Sequence, residues 1–254
     1  MISFYKIQLE SWLTLVKVLM IIPTYIEEVN ISILVPRIFK NLSNVDVLVI
    51  DDNSTDRTVE KITEMQKLYN NLFLIKRKAK MGVASAYIEG YKWGLSKNYE
   101  YIGQMDADLS HRVRDLKNLI ASVDSQKDIA LVIGSRWVSK GGTENWPMKR
   151  IILSKLGNSY IKSMFKLKVN DSTAGFRIYS SKILSKVLFG DLQSKGFSFQ
   201  VEMLRKIMHL NGEILEVPII FRERQYGRSK ITLGIILEAY VYVTKNGVLS
   251  RINS

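Results

Sequence analysis

The sequence predicts an α/β fold with a mostly parallel central sheet and helices on both faces. Short apolar runs recur along the chain, separated by stretches with helical periodicity. The first run is continuous rather than alternating, as expected of a strand covered on both faces. Three strand ends carry polar tips, at Pro23-Thr24-Tyr25, Asp51-Asp52 and Asp106-Ala107-Asp108. In an open sheet of this kind ligands bind beyond the carboxyl ends of the strands, so three polar tips on one edge make a candidate site.

In chain order, residues 1–16 place Ile2, Phe4, Tyr5, Leu9, Trp12, Leu13 and Val16 among polar residues. This suits an amphipathic helix on a membrane or on the core, or a leader outside the fold. Residues 18–22 form the first strand, and a helix follows over 27–41, with Pro36 expected to kink or divide it. The second strand, 45–50, ends in Asp51-Asp52-Asn53-Ser54-Thr55-Asp56, where Ser54 or Thr55 can cap a helix running to Tyr69. A third strand at 72–75 leads into Lys76, Arg77, Lys78 and Lys80, expected as a solvated face, then to Gly82, expected to allow close helix packing. A helix over 83–95, a strand over 99–103, a helix over 113–123 and a strand over 129–133 complete the regular half.

Beyond Gly134-Ser135-Arg136 the pattern is less periodic. Lys140-Gly141-Gly142 reads as a flexible loop, followed by a basic helix over 149–165, a strand at Ile178-Tyr179 and a helix over 199–210 capped by Asn211-Gly212. A strand over 214–221 leads to the basic loop 222–230. Residues 231–243 are apolar on nearly all sides apart from Glu238, which suits an interfacial, partner-binding or core helix.

Composition narrows the function. A chain of 254 residues, 46% hydrophobic, fits one large domain or two small ones with a sizeable core. The formal charge of +13 points to anionic partners: phosphates, nucleic acid or an acidic membrane face. No compact nucleic-acid-binding signature accompanies it. The absence of cysteine excludes disulfides, zinc–thiolate sites and thiol catalysis. No uncharged apolar stretch reaches the roughly 20 residues of a spanning helix. Lys6 and Glu10 interrupt the N-terminal apolar residues, unlike a signal peptide. Neither G-x-G-x-x-G after the first strand nor G-x-x-x-x-G-K-[ST] is present, so phosphate must be handled by metal and side chains.

The centre of the chemistry is Gln104-Met105-Asp106-Ala107-Asp108-Leu109-Ser110. In extended backbone, residues two apart point to the same side, which aims Asp106 and Asp108 at one small volume. Two carboxylates about 4 Å apart repel by roughly 4 kcal/mol at an effective dielectric of 20. The pair calls for a cation, and oxygen-only ligands favour Mg²⁺ or Mn²⁺ over zinc. Alone, an Asp-x-Asp is more often a solvated turn.

Seven motifs in order change that. They are Pro-Thr-Tyr-x-Glu at 23–27, Asp-Asp-x-Ser-x-Asp at 51–56, Asp-Ala-Asp-Leu-Ser-His at 106–111, Gly-Ser-Arg at 134–136, Asp-x-Thr-x-Gly-Phe-Arg at 171–177, Gly-Phe-x-Phe-Gln-x-Glu at 196–202 and Arg-x-x-Gly-x-Ser-Lys at 224–230. With them the chain resembles the dolichyl/polyprenyl-phosphate mannosyltransferase group of family-2 glycosyltransferases, over about Val18 to Lys230. The resemblance implies a GT-A fold, a catalytic domain over 17–230, an N-terminal extension over 1–16 and an interfacial or partner-binding helix over 231–254. It implies a nucleotide-sugar donor, with GDP-mannose favoured, a Mg²⁺ or Mn²⁺ ion, and a polyprenyl or dolichyl phosphate acceptor. It also implies peripheral attachment to the cytoplasmic face of a membrane, with room for a small membrane-anchoring subunit. No nucleic-acid partner is expected.

By motif position, Pro23, Tyr25, Glu27, Ile50 and Asp52 would hold the nucleoside, and Asp106, Ala107 and Asp108 the nucleotide and metal. Ser110 would join the metal site, where relatives carry Gln. Arg224 and Lys230 would clamp the diphosphate, while Arg136, Arg150 and Ser154 would meet the acceptor phosphate. Asp106, Asp108, Arg136, Arg224 and Lys230 thus form the implied catalytic set. Asp171 would orient Arg177, close the acceptor site or serve a turn, and His111 is expected in a structural hydrogen bond. The chain departs from the family pattern at Ile26, in place of Asn, and at Arg112 and Arg114.

The implied reaction is inverting transfer of a hexose to a lipid phosphate. An ionised phosphate oxygen needs no strong general base, which suits a chain with only two histidines. A UDP-glucose donor is the alternative within the same chemistry. A saccharide acceptor is disfavoured because the Gln-x-x-Arg-Trp of processive relatives is absent: position 133 is Ile before Arg136-Trp137. A basic, non-catalytic nucleic-acid- or lipid-binding protein on the same fold is the alternative from another class.

Overall fold

Each apolar run becomes a strand whose alternate side chains enter two separate cores. The computed structural model describes residues 17–125, 128–188, 192, 196, 198–227 and 233–252; the side chains of 124, 233, 235–237 and 250–252 lie outside that description. The elements are β1 (Val18–Thr24), α1 (Glu28–Asn41), β2 (Val45–Asp51), α2 (Thr58–Gln66), β3 (Leu72–Lys76), α3 (Val83–Ser96), β4 (Tyr101–Gln104), α4 (Val113–Ser125) and β5 (Ile129–Ser135). After them come β6 (Gly142–Glu144), α5 (Met148–Phe165), β7 (Arg177–Ser180), α6 (Ser181–Leu188), α7 (Ser198–His209), β8 (Glu213–Pro218), β9 (Ile220–Arg222) and α8 (Leu233–Ile252).

Seven strands form one sheet in the order β3-β2-β1-β4-β7-β5-β8. All neighbours are parallel except β7, which runs antiparallel to both β4 and β5. Val18, Met20, Ile22, Val47 and Val49 pack under α1, α2 and α4, while Leu19, Ile21, Leu48 and Ile50 pack with α3, α6 and α7. Two covered faces explain why β1 has no polar alternation. Helix α3 lies close on the sheet because a Cβ at Gly90 or Gly94 would come within 2.8 Å of Ile21 or 2.7 Å of Ile102.

This topology gathers the site. The carboxyl ends of β1, β2, β4, β5 and β8 reach one edge, and the segment entering the antiparallel β7 starts from the same edge.

Several expectations are corrected. Helix α1 runs through Pro36 undivided, with buried Ile31, Leu34, Val35 and Ile38 on both sides of it. Neither Ser54 nor Thr55 caps α2. Ser54 Oγ instead accepts from the Ile26 N–H (2.9 Å) and donates to Asp51, while Asp56 Oδ1 takes the Thr58 N–H (3.1 Å). Gly142 is not loop but the first residue of β6. The strand expected over 214–221 is two strands. β8 pairs with β5 and ends at Pro218, which has no N–H to continue the ladder, and β9 pairs with β6 in a separate ribbon.

Helix α8 packs on α5. Tyr240 stacks on Tyr160 at 5.5 Å, Thr244 hydrogen-bonds the Tyr160 hydroxyl (2.8 Å), and Val243 is buried. No helix among the described residues is long and apolar enough to cross a membrane. The expectation for residues 1–16 lies outside the described residues.

Candidate active site

The β4 strand delivers Gln104 and then the acidic tip. Gln104 is fully buried: its Oε1 accepts from the hydroxyls of Tyr91 and Tyr179, and its Nε2 donates to the Gly175 carbonyl (2.8 Å). That last bond ties the acidic tip to the segment entering β7. Asp106 faces this segment, where a Cβ at Gly175 would stand 3.6 Å from Asp106 Oδ2. The bare glycine leaves room beside the carboxylate. Asp106 Oδ1 is 3.4 Å from the Tyr87 hydroxyl. Burial holds Tyr87 well above the ordinary phenol range, so it remains a protonated donor.

Asp106 itself is held above the usual carboxylate range. The first cause is burial; His111 opposes the shift and the charge of Asp108 adds to it. The side chain nevertheless keeps 41% of its surface exposed. Asp108 Oδ1 accepts from the Ser110 N–H (3.1 Å) and Asp108 Oδ2 from Arg224 Nε (3.2 Å). Leu109 supports this tight turn with φ 65°, in the left-handed region. Ser110 is 1% exposed, and its backbone binds Asp108 on one side and the Arg222 N–H (3.0 Å) on the other. His111, also buried, accepts the Asp106 N–H at Nδ1 (3.1 Å) and stacks on Phe176. This is the structural bond expected of it. Burial lowers its basicity, so it is neutral.

On the β1 and β2 side, Glu27 is 5% exposed. Its Oε2 accepts from Asn30 (2.6 Å), its Oε1 from Arg224 Nη2 (3.1 Å), and its N–H bonds Thr58 Oγ1 (2.9 Å). Pro23 is the penultimate residue of β1, and Tyr25 stands partly exposed with Lys80 Nζ 3.9 Å above its ring. Ile26 adopts φ 55° while 44% exposed. A β-branched residue is strained there, where Asn would be tolerated. Ile50 is fully buried in the core below the tip.

Asp52 is engaged from three directions: Arg77 Nη1 (2.9 Å), the Met81 N–H (2.8 Å) and the Gly82 N–H (2.8 Å). Arg77 therefore leaves the solvated face expected for its cluster; it is 6% exposed and also reaches Ser85 (2.8 Å) and Glu89 (3.0 Å). Gly82 serves conformation rather than packing. Its φ of 91° requires glycine, and a Cβ there would meet nothing within 4 Å.

The remaining predicted residues cluster around one indole. The Arg136 guanidinium lies 5.5 Å from the Trp146 ring centre and that of Arg150 3.8 Å. Arg136 Nε and Nη2 bind Asp171 at 2.7 Å each, and Nη2 also reaches Thr173 (2.9 Å). Among the described residues no hydrogen bond involves Arg136 Nη1. Asp171 thus orients Arg136, not Arg177. Arg177 is fully buried and donates to the carbonyls of Ala174, Ser172 and Gln200 instead. Arg150 pairs with Glu223 (2.5 Å), and Ser154 stands one turn further along α5. The Trp146 Nε1–H is buried without a partner among the described residues. Lys230 lies outside the described residues.

Comparison with known proteins is decisive for the family. Residues 20–188 match glycosyl transferase family 2. The chain belongs to that family. It is 36% identical over 238 residues to "Polyprenol monophosphomannose synthase" of Mycolicibacterium smegmatis, covering 93% of this chain and 89% of the relative. It is 38% identical over 235 residues to "Undecaprenyl-phosphate mannosyltransferase" of Micrococcus luteus, covering 92% and 96%. Among solved structures, glucosyl-3-phosphoglycerate synthase from Mycobacterium tuberculosis, with Mn²⁺ and UDP bound, has a TM-score of 0.66 at 16% identity, covering 96% of this chain and 82% of that one. A mannosyltransferase from Pyrobaculum calidifontis with GDP-Man and Mn²⁺ has a TM-score of 0.59 at 16% identity, covering 89% and 65%. These likenesses carry the GT-A fold expected from the motifs. This family-2 glycosyltransferase has its acidic pair at the strand edge, with Arg224 on Asp108 and with Arg136 and Arg150 on Trp146.

Two residue sets escape the motif reading. Arg77 looks like one more surface cation in its cluster. Trp146 precedes a proline in a stretch without periodicity; its only sequence signal is an aromatic four residues before Arg150.

Proposed function

We propose that this glycosyltransferase moves mannose from GDP-mannose to the phosphate of a polyprenyl or dolichyl lipid, with inversion, at a membrane surface. The observation that carries the reading is that Arg224 engages the acidic tip through Asp108, while Arg136 and Arg150, in the segment that follows β5, gather at Trp146 as a second cationic cluster. Two anions must meet in this reaction, a sugar diphosphate and a lipid phosphate, and each needs its own cations. The names of the two relatives supply the sugar and the lipid class.

Asp106 and Asp108 suit a Mg²⁺ or Mn²⁺ ion: they are oxygen donors, burial raises Asp106 and the charge of Asp108 adds to the shift, and Gly175 leaves space beside Asp106. Such an ion supplies neutralisation of the charge that grows on the departing diphosphate. Ser110 would contribute through the backbone bonds that shape the loop. Arg224 and Lys230 would hold the diphosphate, Pro23, Tyr25 and Glu27 the nucleoside, and Ala107 and Ile50 the floor. Asp52 would act by fixing the 81–82 turn through its three bonds. Arg136 Nη1, Arg150 and Ser154 would bind the lipid phosphate. One of its ionised oxygens attacks the anomeric carbon while the bond from that carbon to the diphosphate oxygen breaks. No proton is transferred, and the neutral, hydrogen-bonded His111 is not asked to act as a base.

The surface around Arg150 supports the membrane placement. On α5, Met148, Ile152, Leu153 and Leu156 are 51–68% exposed, and on α8 Tyr240, Val241, Val248 and Leu249 are 46–56% exposed. Lys149 and Lys155 accompany the α5 residues. Apolar side chains flanked by cations suit peripheral binding to anionic lipid on the cytoplasmic face, and the same stripe would accept a small membrane-anchoring subunit.

The test is incubation of purified protein with Mn²⁺, a short polyprenyl phosphate and a panel of labelled nucleotide sugars. Lipid-linked mannose from GDP-mannose is expected. Product from UDP-glucose alone would reassign the donor, and no lipid product from any donor would overturn the reading.

A further inference from the structure

A cleft of about 280 Å³ opens between α1, the loop that follows Asp108 and the start of the basic loop. Four arginines line it: Arg37, Arg112, Arg114 and Arg222. Two of them are neutralised. Arg112 binds Asp115 through Nε and Nη2 (2.8 Å each), and Arg222 Nε binds Glu144 (2.8 Å). Among the described residues Arg37 and Arg114 have no ion-pair partner. The floor is apolar, with Leu34 1% and Leu109 6% exposed.

The cleft stands apart from the groups assigned to donor and acceptor. Arg37 is ten residues beyond Glu27 along α1, about 15 Å at the helical rise. Arg136, Arg150 and Asp106 do not line it. A concave site with an apolar floor and two uncompensated guanidinium charges favours an anion of matching charge. A phosphomonoester carries about −1.5 to −2 at neutral pH and three acceptor oxygens. His111 lines the cleft as well, and with Nδ1 accepting from Asp106 its ring proton sits on Nε2, one more donor.

We propose that this cleft is a second anion site, binding a phosphate dianion between Arg37 and Arg114. The phosphate may be supplied free in solution or as a lipid headgroup, and the two sources offer the cleft the same chemistry. Through His111 the occupied site would brace the loop that carries Asp106 and Asp108.

The test measures binding of inorganic phosphate and of dihexanoyl phosphatidic acid, below its micelle concentration, to the full chain. GDP and Mn²⁺ are kept saturating so that the donor groups are already occupied. The wild type, Arg37→Ala/Arg114→Ala and Arg150→Ala are compared by calorimetry. The double variant removes two exposed side chains that have no ion-pair partner among the described residues, so its melting temperature should match the wild type. Its anion affinity is expected to fall roughly tenfold or more, the loss of one to two charge-assisted contacts, while Arg150→Ala retains one equivalent of binding. A loss seen with both ligands identifies the phosphate group alone as sufficient; a loss seen only with phosphatidic acid identifies a lipid headgroup. Unchanged binding by the double variant, or a loss that follows Arg150→Ala instead, would overturn the proposal.

Discussion

Arg224 donates from Nε to Asp108 Oδ2 across 3.2 Å, and its Nη2 stands 3.1 Å from Glu27 Oε1. A guanidinium therefore occupies ground that a divalent cation would claim. If Asp108 holds the metal and Arg224 the diphosphate, the two cations compete until the nucleotide arrives and draws Arg224 toward its phosphates. Arg224→Gln should then bind Mn²⁺ more tightly than the wild type without nucleotide, by about fivefold for a contact worth roughly 1 kcal/mol. Binding of GDP should weaken in the same variant. Calorimetric Mn²⁺ titration checks this, and equal Mn²⁺ affinity in both proteins would remove the competition.

Asp106 gives a prediction with a definite sign. Burial raises its pKa above the ordinary value, so on raising the pH the unfolded chain loses this proton first. The carboxyl's stabilising contribution is full below about pH 3.9 and is lost as pH climbs through the raised value. At neutral pH the ionised group works against the metal-free fold. Asp106→Asn should therefore melt higher than the wild type at pH 7 without metal, and the gain should shrink as the pH approaches 4. Melting curves across that window decide the sign. The variant should also lose metal-dependent transfer.

Asp171 is fully buried and binds Arg136 through both oxygens, with Arg136 itself 9% exposed. Removing one member of such a pair leaves the other charged and unsatisfied, at a cost of about 3–5 kcal/mol. Asp171→Ala should lower the unfolding free energy by that order in urea titrations. A change under 1 kcal/mol would mean that the pair is not enclosed as described.

The exposed apolar residues of α5 and α8 predict binding to vesicles. Val241 and Leu249, 55% and 47% exposed, can be replaced without opening the core around Val243. Val241→Glu/Leu249→Glu should cut co-flotation with anionic liposomes severely while leaving the melting temperature near the wild-type value. Undiminished flotation would place the membrane contact elsewhere.

How much of this was legible in the sequence follows from the range of each interaction. The continuous run of β1 announced a doubly covered strand, and the tips at 51–52 and 106–108 announced the edge where they meet. Those signals are local. The pairing of Asp171 with Arg136 spans 35 residues, and nothing in either segment distinguishes it from a pairing with the nearer Arg177. Arg77 resembled its solvated neighbours until the β2–β3 pairing brought Asp52 to it and helix α3 presented Glu89. The division of β8 from β9 turned on Pro218, which was in view, but only the presence of β6 gave the remainder a second partner. Ile26 reads as a simple departure from an expected Asn; its strain shows only in the backbone angle.

The central claim is that the β4 tip holds a divalent cation and the donor's diphosphate together. Anomalous diffraction from crystals soaked with Mn²⁺ and GDP measures it most directly. A manganese peak within about 2.0–2.6 Å of an Asp108 or Asp106 carboxylate oxygen, shared with the diphosphate, is the predicted result. A nucleotide seated away from this edge, with no metal at either aspartate, would contradict it.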